Sequence, residues 1–498
     1  MRQSILTNIQ EKKYIMSKYT KIVATISDNR CDVGFIKSLY ENGMNVVRMN
    51  SAHMQREGFE HIIANVRKVS NAIGILMDTK GPEIRTTVLQ GDTPITFEPG
   101  QHLLMTGRPG TVTTSQCIGV SYPAFAEDIP VGSHVLIDDG ELEFLVCDKV
   151  NDELMCEALN AGELGSRKSV NVPGVRINLP SLTQRDRDNI LIAIENNIDF
   201  IAHSFVRSKQ DVLDIQHILD EHRSPIKIIA KIENQEGVDN IDEILEVAYG
   251  VMVARGDLGI EVPQEKIPGI QQLLIRKCIQ AKKPVIVATQ LLHSMIKNPR
   301  PTRAEVTDIA NAIYNHTDAL MLSGETAYGR YPVESVATMA RVAMEAERTR
   351  LIDSMALGGG GDDITAFLAQ QAVKSSTELG TKAIITDSYT GRTARFVASY
   401  RGKFPVLALC YNERTIRQLS LSYGVFAMYQ KSTDTSRQYL FNGLTHLLEK
   451  KLLTREDLIA YLGGSFGSSH GTTFLEINHV GKVLDSFDNY VLPNIEEI

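Results

Sequence analysis

From Lys21 onward the chain repeats one pattern: a short run of apolar, often β-branched residues ends in polar or charged ones, and a helical stretch follows. The runs are residues 21–26, 45–50, 73–79, 199–206, 227–233, 250–255, 284–290 and 319–325. Near-continuous apolar strands alternating with helices predict a parallel sheet covered on both faces. Eight such units predict a (β/α)8 TIM barrel, with its chemistry at the C-terminal ends of the strands. Thr25, Arg48, Asn50, Asp78, Thr79, Ser204, Lys231, Glu233, Asp257, Thr289, Ser323 and Glu325 fall at those ends.

Residues 82–175 interrupt the pattern with short alternating strands, such as Ser133–Val146, and a turn signal at Asp139-Gly140. This reads as a small β-barrel domain inserted after the third strand. Its hinges are Lys80-Gly-Pro82 and Asn171-Val-Pro-Gly174. Rooted at a barrel mouth, it is placed to act as a lid; a rigid decoration is the alternative. After the eighth strand, a helical stretch over Pro332–Arg350 leads to a glycine linker at Gly358–Gly361. Beyond it, strands at 382–386, 405–409, 425–428 and 473–480 predict an open α/β domain. The expected organisation is an N-terminal extension (1–20), a barrel (21–81 and 176–345), an inserted lid (82–175) and a C-terminal α/β domain (346–498). Met16 looks like a natural start, so residues 1–15 read as an added extension.

With 498 residues, 43% hydrophobic and 22% charged, the chain has the length for about three globular domains. A net charge of −8 argues against nucleic acid as a partner. The six cysteines form no CxxC pair, which fits reduced thiols in a cytoplasmic protein better than a disulfide frame or a zinc site. No apolar run is long enough to span a bilayer, and Met1–Lys13 lacks the apolar stretch of a signal peptide. There is no Walker A loop and no GxGxxG fingerprint.

The candidate chemistry centres on Lys227–Asn234. Lys231 and Glu233 break a buried apolar strand two residues apart, so both face one space. Burying such charges costs several kcal/mol unless they meet a partner or a metal. Lys231 reads as a cation aimed at developing negative charge, and Glu233 as a hard oxygen ligand; a structural ion pair is the alternative. Glu233 and Asp257, from neighbouring strands, suit Mg²⁺ or Mn²⁺. Gly256 lets a ligand come close to the backbone, or marks an ordinary turn. Arg48 suits a phosphate or carboxylate. Asn50, Asp78 and Thr79 either hold a second, weaker cation or cap strand ends. Thr289 reads as a contact to substrate or water. Arg85 and Lys168, at the borders of the insert, either reach a polyphosphate or are solvated charges. Thr302 and Glu305 read as a helix capping box. Residues 386–393 offer an anion site or an ordinary capped loop.

Ala230-Lys-Ile-Glu-Asn234, Met252-Val-Ala-Arg-Gly-Asp-Leu-Gly-Ile260, Asp78-Thr-Lys-Gly-Pro-Glu-Ile-Arg85, Ala288-Thr-Gln290, Lys297-Asn-Pro-Arg-Pro-Thr-Arg-Ala-Glu305 and Met321-Leu-Ser-Gly-Glu-Thr-Ala327 together resemble the pyruvate kinase family. The resemblance runs from about residue 20 to the end and thins in the C-terminal third. It implies phosphoryl transfer from phosphoenolpyruvate to ADP, giving pyruvate and ATP, as the last step of glycolysis. It also implies a cytoplasmic, allosteric homotetramer with a phosphorylated effector at the C-terminal domain. By position, Lys231 resembles the lysine that stabilises the transition state, and Glu233 and Asp257 the Mg²⁺ ligands. Arg48, Gly256, Asp257 and Thr289 resemble substrate contacts, with Thr289 assisting proton delivery through a water. Asn50, His53, Arg85 and Lys168 resemble nucleotide contacts. Asn50, Asp78 and Thr79 resemble K⁺ ligands, and Glu83 the residue of potassium-dependent members. Ala52 departs from the family's hydroxyl ligand for K⁺, which puts the K⁺ requirement in doubt. Ser27-Asp28, His293 and His203 depart as well, and His203 reads as a packing change. A metal-dependent lyase on a related barrel and an inactive homologue are the competing readings. Lys231, Arg85 and the insert favour phosphoryl transfer, and intact Lys231, Glu233 and Asp257 argue against inactivity.

Overall fold

The protein is described here from a computed structural model covering residues 18–52, 54–350, 363–433, 435–464 and 471–488. The Gly358–Gly361 linker and residues 1–15 of the extension lie outside the described residues. Lys18, Tyr19 and Thr20, grouped above with the extension, are built into the barrel floor. The Lys18 ammonium donates to Asn45 Oδ1 at 3.0 Å. The backbone N–H groups of Tyr19 and Thr20 donate to the Glu347 carboxylate at 2.9 and 2.6 Å.

Eight parallel strands close the barrel: β1 (Lys21–Thr25), β2 (Val46–Asn50), β3 (Gly74–Asp78), β4 (Phe200–His203), β5 (Lys227–Ile232), β6 (Gly250–Ala254), β7 (Val285–Ala288) and β8 (Ala319–Leu322). Each neighbours its sequence neighbours, and β8 pairs with β1 through Lys21 opposite Ala319. Successive strand residues point to opposite faces. Val23, Val46, Leu76, Phe200 and Ile229 accordingly fill the lumen. Ile75, Met77, Ile201, Ile228 and Ala230 pack outward against the helices. The strands are shorter than the apolar runs suggested. Arg255, Gly256 and Asp257 open a short helix, Arg255–Glu261, and Glu325 lies in a helical turn, Gly324–Ala327.

The insert forms a seven-stranded sheet in the order 84–85, 169–171, 134–137, 142–150, 153–158, 102–106, 117–119. Its two ends meet: Thr86 bridges Val120, and Thr87 N–H donates to the Gly119 carbonyl at 2.8 Å. This closes the sheet on a core that includes Phe97, Phe125 and Phe144.

The C-terminal sheet runs β11 (Val425–Tyr429), β10 (Val406–Cys410), β9 (Ala383–Ser388), β12 (Leu458–Gly463), β13 (Phe474–His479), antiparallel only at the last pair. Leu458–Gly463, absent from the sequence reading, lies inside this sheet. Among the described residues no helix is long and apolar enough to cross a membrane, and the six cysteines are free.

Two buried carboxylates tie the barrel floor to the C-terminal unit. Asp199, just before β4, takes Arg417 Nε at 2.7 Å and Arg67 at 3.0 Å. Asp318, just before β8, takes both Arg401 nitrogens at 2.6 and 3.1 Å and the Tyr423 N–H at 2.9 Å. Conserving shape while removing one partner leaves a buried charge alone. Asp318→Asn is therefore expected to cost about 3–5 kcal/mol. It should appear as a lower thermal midpoint, while the KM values of the folded fraction stay put because the opposite end of the barrel is untouched.

Candidate active site

The lumen parity that fills the barrel core also builds the site. Two residues beyond the apolar lumen layer, Thr25, Arg48, Asp78 and Lys231 face inward at the C-terminal end, and Glu233 and Ser204 continue the same parity. They form one bonded network. Lys231 Nζ lies 2.9 Å from Glu233 Oε1 and 3.7 Å from Asp78 Oδ2, and donates to Ser204 Oγ at 2.8 Å. Arg48 pairs with Asp78 through Nε at 2.8 Å and through a second, closer nitrogen contact. Its remaining nitrogen donates to Thr25 Oγ1 at 3.1 Å. Ser204 Oγ passes its proton donation to the Thr79 carbonyl at 2.7 Å. The Phe205 N–H fixes the other Glu233 oxygen at 2.7 Å.

The electrostatics follow from burial against pairing. Burial opposes the Lys231 ammonium, but Asp78 and Glu233 outweigh it and raise its pKa above the ordinary lysine value. Burial also opposes the Asp78 carboxylate, and Arg48 and Lys231 outweigh it and lower its pKa. Glu233 goes the other way. Burial raises its pKa, Lys231 only partly offsets this, and Asp257 adds repulsion. Arg48 and Lys231 thus face three carboxylates, Asp78, Glu233 and Asp257. The surplus negative charge sits on the Glu233–Asp257 side. An all-oxygen pair with surplus negative charge fits a hard dication such as Mg²⁺ or Mn²⁺. Asp78 Oδ1 is buried without a hydrogen-bond donor among the described residues, so it keeps a lone pair free for a weaker cation.

Thr79 has the opposite parity. Its hydroxyl accepts the Ser204 N–H at 3.0 Å and faces His203 Nδ1 at 3.3 Å, away from the lumen. The strand-end reading therefore accounts for its side chain, and only its carbonyl points toward the network. Asn50 is exposed, and its Oδ1 accepts the Ala52 N–H at 3.1 Å. Ser51, beside Ala52, is fully buried, with its hydroxyl unpartnered among the described residues. His53 lies outside the described residues. His203 is fully buried, and burial drives its pKa down to about 4, so it stays neutral.

Gly256 and Thr289 meet across β6 and β7. The Gly256 N–H donates to Thr289 Oγ1 at 2.9 Å, and that hydroxyl donates to the Ala288 carbonyl at 2.6 Å. Thr289 holds φ +69°, a left-handed conformation rare for a β-branched residue. Such strain persists only where the surroundings enforce it. Here Arg255 does so. It grips the Thr289 carbonyl at 2.6 Å and is anchored on both Asp308 oxygens at 2.8 Å. Sequence reasoning missed Arg255. Its position immediately before Gly256-Asp257 was the available signal. A Cβ on Gly256 would sit 3.6 Å from Thr289 Oγ1, so the bare glycine leaves open the room beside that hydroxyl. Gly256, Asp257 and Thr289 line a cleft of about 640 Å³ to which Asp139 of the insert also contributes.

Arg85 lies on the insert strand 84–85, and Lys168 immediately precedes the strand 169–171 that pairs with it, Ser169 opposing Arg85. Both are part-exposed and each is held by a carboxylate: Arg85 by Glu83 at 2.7 Å and Lys168 by Asp138 at 2.5 Å. Glu325, counted above among the polar strand ends, has a structural task. It is buried and accepts the N–H groups of Leu292 and Ser323 at 3.1 and 2.8 Å. Thr302 and Glu305 form the capping box expected of them.

A closed parallel barrel with a paired ammonium and surplus carboxylates at its mouth defines a barrel enzyme suited to anionic substrates and a divalent cation. Residues 17–336 match the family described as pyruvate kinase, barrel domain, and residues 367–478 the family described as pyruvate kinase, alpha/beta domain. The pyruvate kinase of Borreliella burgdorferi is 44% identical over 475 residues, spanning 94% of this chain and 98% of that one. The pyruvate kinase of Geobacillus stearothermophilus is 43% identical over 480 residues, spanning 94% of this chain and 81% of the relative. A crystal structure of a pyruvate kinase from Cryptosporidium parvum matches with a TM-score of 0.90 at 37% identity, over 94% of this chain and 97% of that one. The chain belongs to the pyruvate kinase family.

The neutral burial of His203 carries a pH signature. Its folded pKa of about 4 lies below the unfolded value of 6.5. Between the two, the unfolded chain binds a proton that the folded one refuses, so stability falls as pH drops through that window. His203→Gln removes the titrating ring. Its unfolding free energy should decline less than that of the parent between these pH limits, by up to about 3 kcal/mol, as measured by urea titrations at each pH.

Proposed function

We propose that this protein transfers the phosphoryl group of phosphoenolpyruvate to ADP, giving pyruvate and ATP, at the lumen network around Lys231. The observation that supports this reading is the combination of a fixed ammonium with the negatively surplus Glu233–Asp257 pair. Glu233 and Asp257 hold Mg²⁺ or Mn²⁺ in this account. When bound, the dication supplies Lewis acidity that draws charge from the leaving enolate oxygen and the moving phosphoryl oxygens. Lys231 faces the same oxygens and neutralises charge as it develops, without reorganising, because Asp78, Glu233 and Ser204 already hold it. Arg48 offers its fork to the substrate phosphate, with Asp78 fixing its plane. Gly256 and Thr289 frame the cleft. The Thr289 hydroxyl is a weak acid, so its part is to place a water that protonates the enolate carbon. Arg85 and Lys168 take the nucleotide's phosphates, as does Asn50. Their exchange from Glu83 and Asp138 is inexpensive, since exposed ion pairs contribute about 0–1 kcal/mol.

K⁺ belongs at Asn50, Asp78 and the Thr79 carbonyl in this reading, supported by the donor-free Asp78 Oδ1. Homotetramer formation and a phosphorylated effector at residues 386–393 accompany the family likeness. That loop differs from its expected form, because β9 carries Thr386 and Ser388 inside the sheet. Arg392, at the start of the following helix, is held by Asp363 at 2.5 Å.

Two measurements check the assignment. ATP formation from phosphoenolpyruvate and ADP with Mg²⁺ should fall by roughly 10²–10³-fold or more in Lys231→Met, with phosphoenolpyruvate affinity changed far less. Equal turnover by the variant removes the mechanism. K⁺ should stimulate the parent, and Ala52→Ser, by supplying one more oxygen, should lower the K⁺ concentration giving half-maximal rate. An unchanged K⁺ curve excludes position 52 from the site.

A further inference from the structure

We infer that the outer face of the insert's sheet carries a Zn²⁺ site made by His102, Cys147 and Glu157. The three residues lie on three adjacent strands, His102–Thr106, Glu153–Ala158 and Leu142–Val150. Glu157 stands directly opposite His102. On its other side Glu157 opposes Leu145, and Cys147 follows on the same outward parity. A register shift leaves Met155 opposite Asp148 and Cys156 opposite Val146. Cys147 is therefore the extra residue of a β-bulge, a feature that re-aims a side chain. One ligand atom from each residue lies within 4.8 Å of the others, and Cys147 Sγ is 4.0 Å from Glu157 Oε2.

Zn²⁺ takes imidazole, thiolate and carboxylate at about 2.0–2.3 Å, which sets neighbouring donors roughly 3.3–3.8 Å apart in a tetrahedron. The donors, at most 4.8 Å apart, lie within about 1.5 Å of that spacing, and His102 is exposed enough to close the gap by rotation. Water completes the fourth position. Zn²⁺ binding breaks the Cys147 S–H bond, forms the S–Zn bond and releases the proton to solvent. The mixed N, S, O donor set selects a borderline-soft dication, unlike the all-oxygen pair at Glu233 and Asp257. The absence of a CxxC motif excluded only a local zinc loop; these ligands meet through the fold. The bound ion would clamp three neighbouring strands of the insert.

The test uses the full-length, metal-stripped protein with Co²⁺ as the probe. Expected are a thiolate-to-Co²⁺ charge-transfer band, tetrahedral visible bands, and loss of both on adding Zn²⁺. Cys147→Ser and His102→Ala should each abolish the charge-transfer band and weaken Zn²⁺ binding by roughly ten- to a hundredfold or more. Both should keep the parent's Mg²⁺-supported ATP formation, which also shows that they fold. Absence of a thiolate band in the parent, or the same band and Zn²⁺ affinity in Cys147→Ser, overturns the site.

Discussion

An ammonium buried in the lumen of a barrel is the constraint on which this structure depends. Left alone, Lys231 would cost several kcal/mol. Asp78, Glu233 and Ser204 remove that cost, and each of them is itself fixed by something else. Arg48 holds Asp78, the Phe205 N–H holds Glu233, and the Thr79 carbonyl holds Ser204. The result is a positive charge with a set position and no freedom to follow solvent. That property separates a group that stabilises a transition state from one that merely pairs.

The same network explains why the metal ligands are not also Lys231's full partners. Glu233 contacts Lys231, but burial and Asp257 leave its carboxylate under-neutralised. Asp78 is over-neutralised by two cations. Charge is thus graded across the barrel mouth, positive on the Arg48–Asp78 side and negative on the Glu233–Asp257 side. A phosphate with its dication matches that gradient. At the barrel floor, Asp199 and Asp318 are met by arginines and backbone N–H groups, which suits anchoring rather than chemistry.

Much of this was legible because a strand's period of two is rigid. Lys231 and Glu233 share a face by arithmetic, and so do Arg48 with Val46 and Asp78 with Leu76. Thr79 was grouped with Asp78 by adjacency, yet the same arithmetic turns its hydroxyl to the other face, toward His203. Glu325 looked like a strand end because the apolar run did not mark where the helical turn begins. Arg255 went unread because its work is to hold the Thr289 carbonyl, and only its place immediately before Gly256-Asp257 pointed to it. Leu458–Gly463 escaped notice behind the polar stretch that precedes it. The His102, Cys147 and Glu157 cluster could not be read at all, since its members meet only when three strands align.

Diffraction from crystals grown with Mn²⁺ and oxalate, a planar mimic of the pyruvate enolate, tests the central claim most directly. The anomalous signal should place Mn²⁺ between Glu233 and Asp257, with Lys231 Nζ turned to an oxalate oxygen and still within reach of Asp78. Mn²⁺ lodged away from those two carboxylates, or Lys231 turned out of the lumen, would contradict the account.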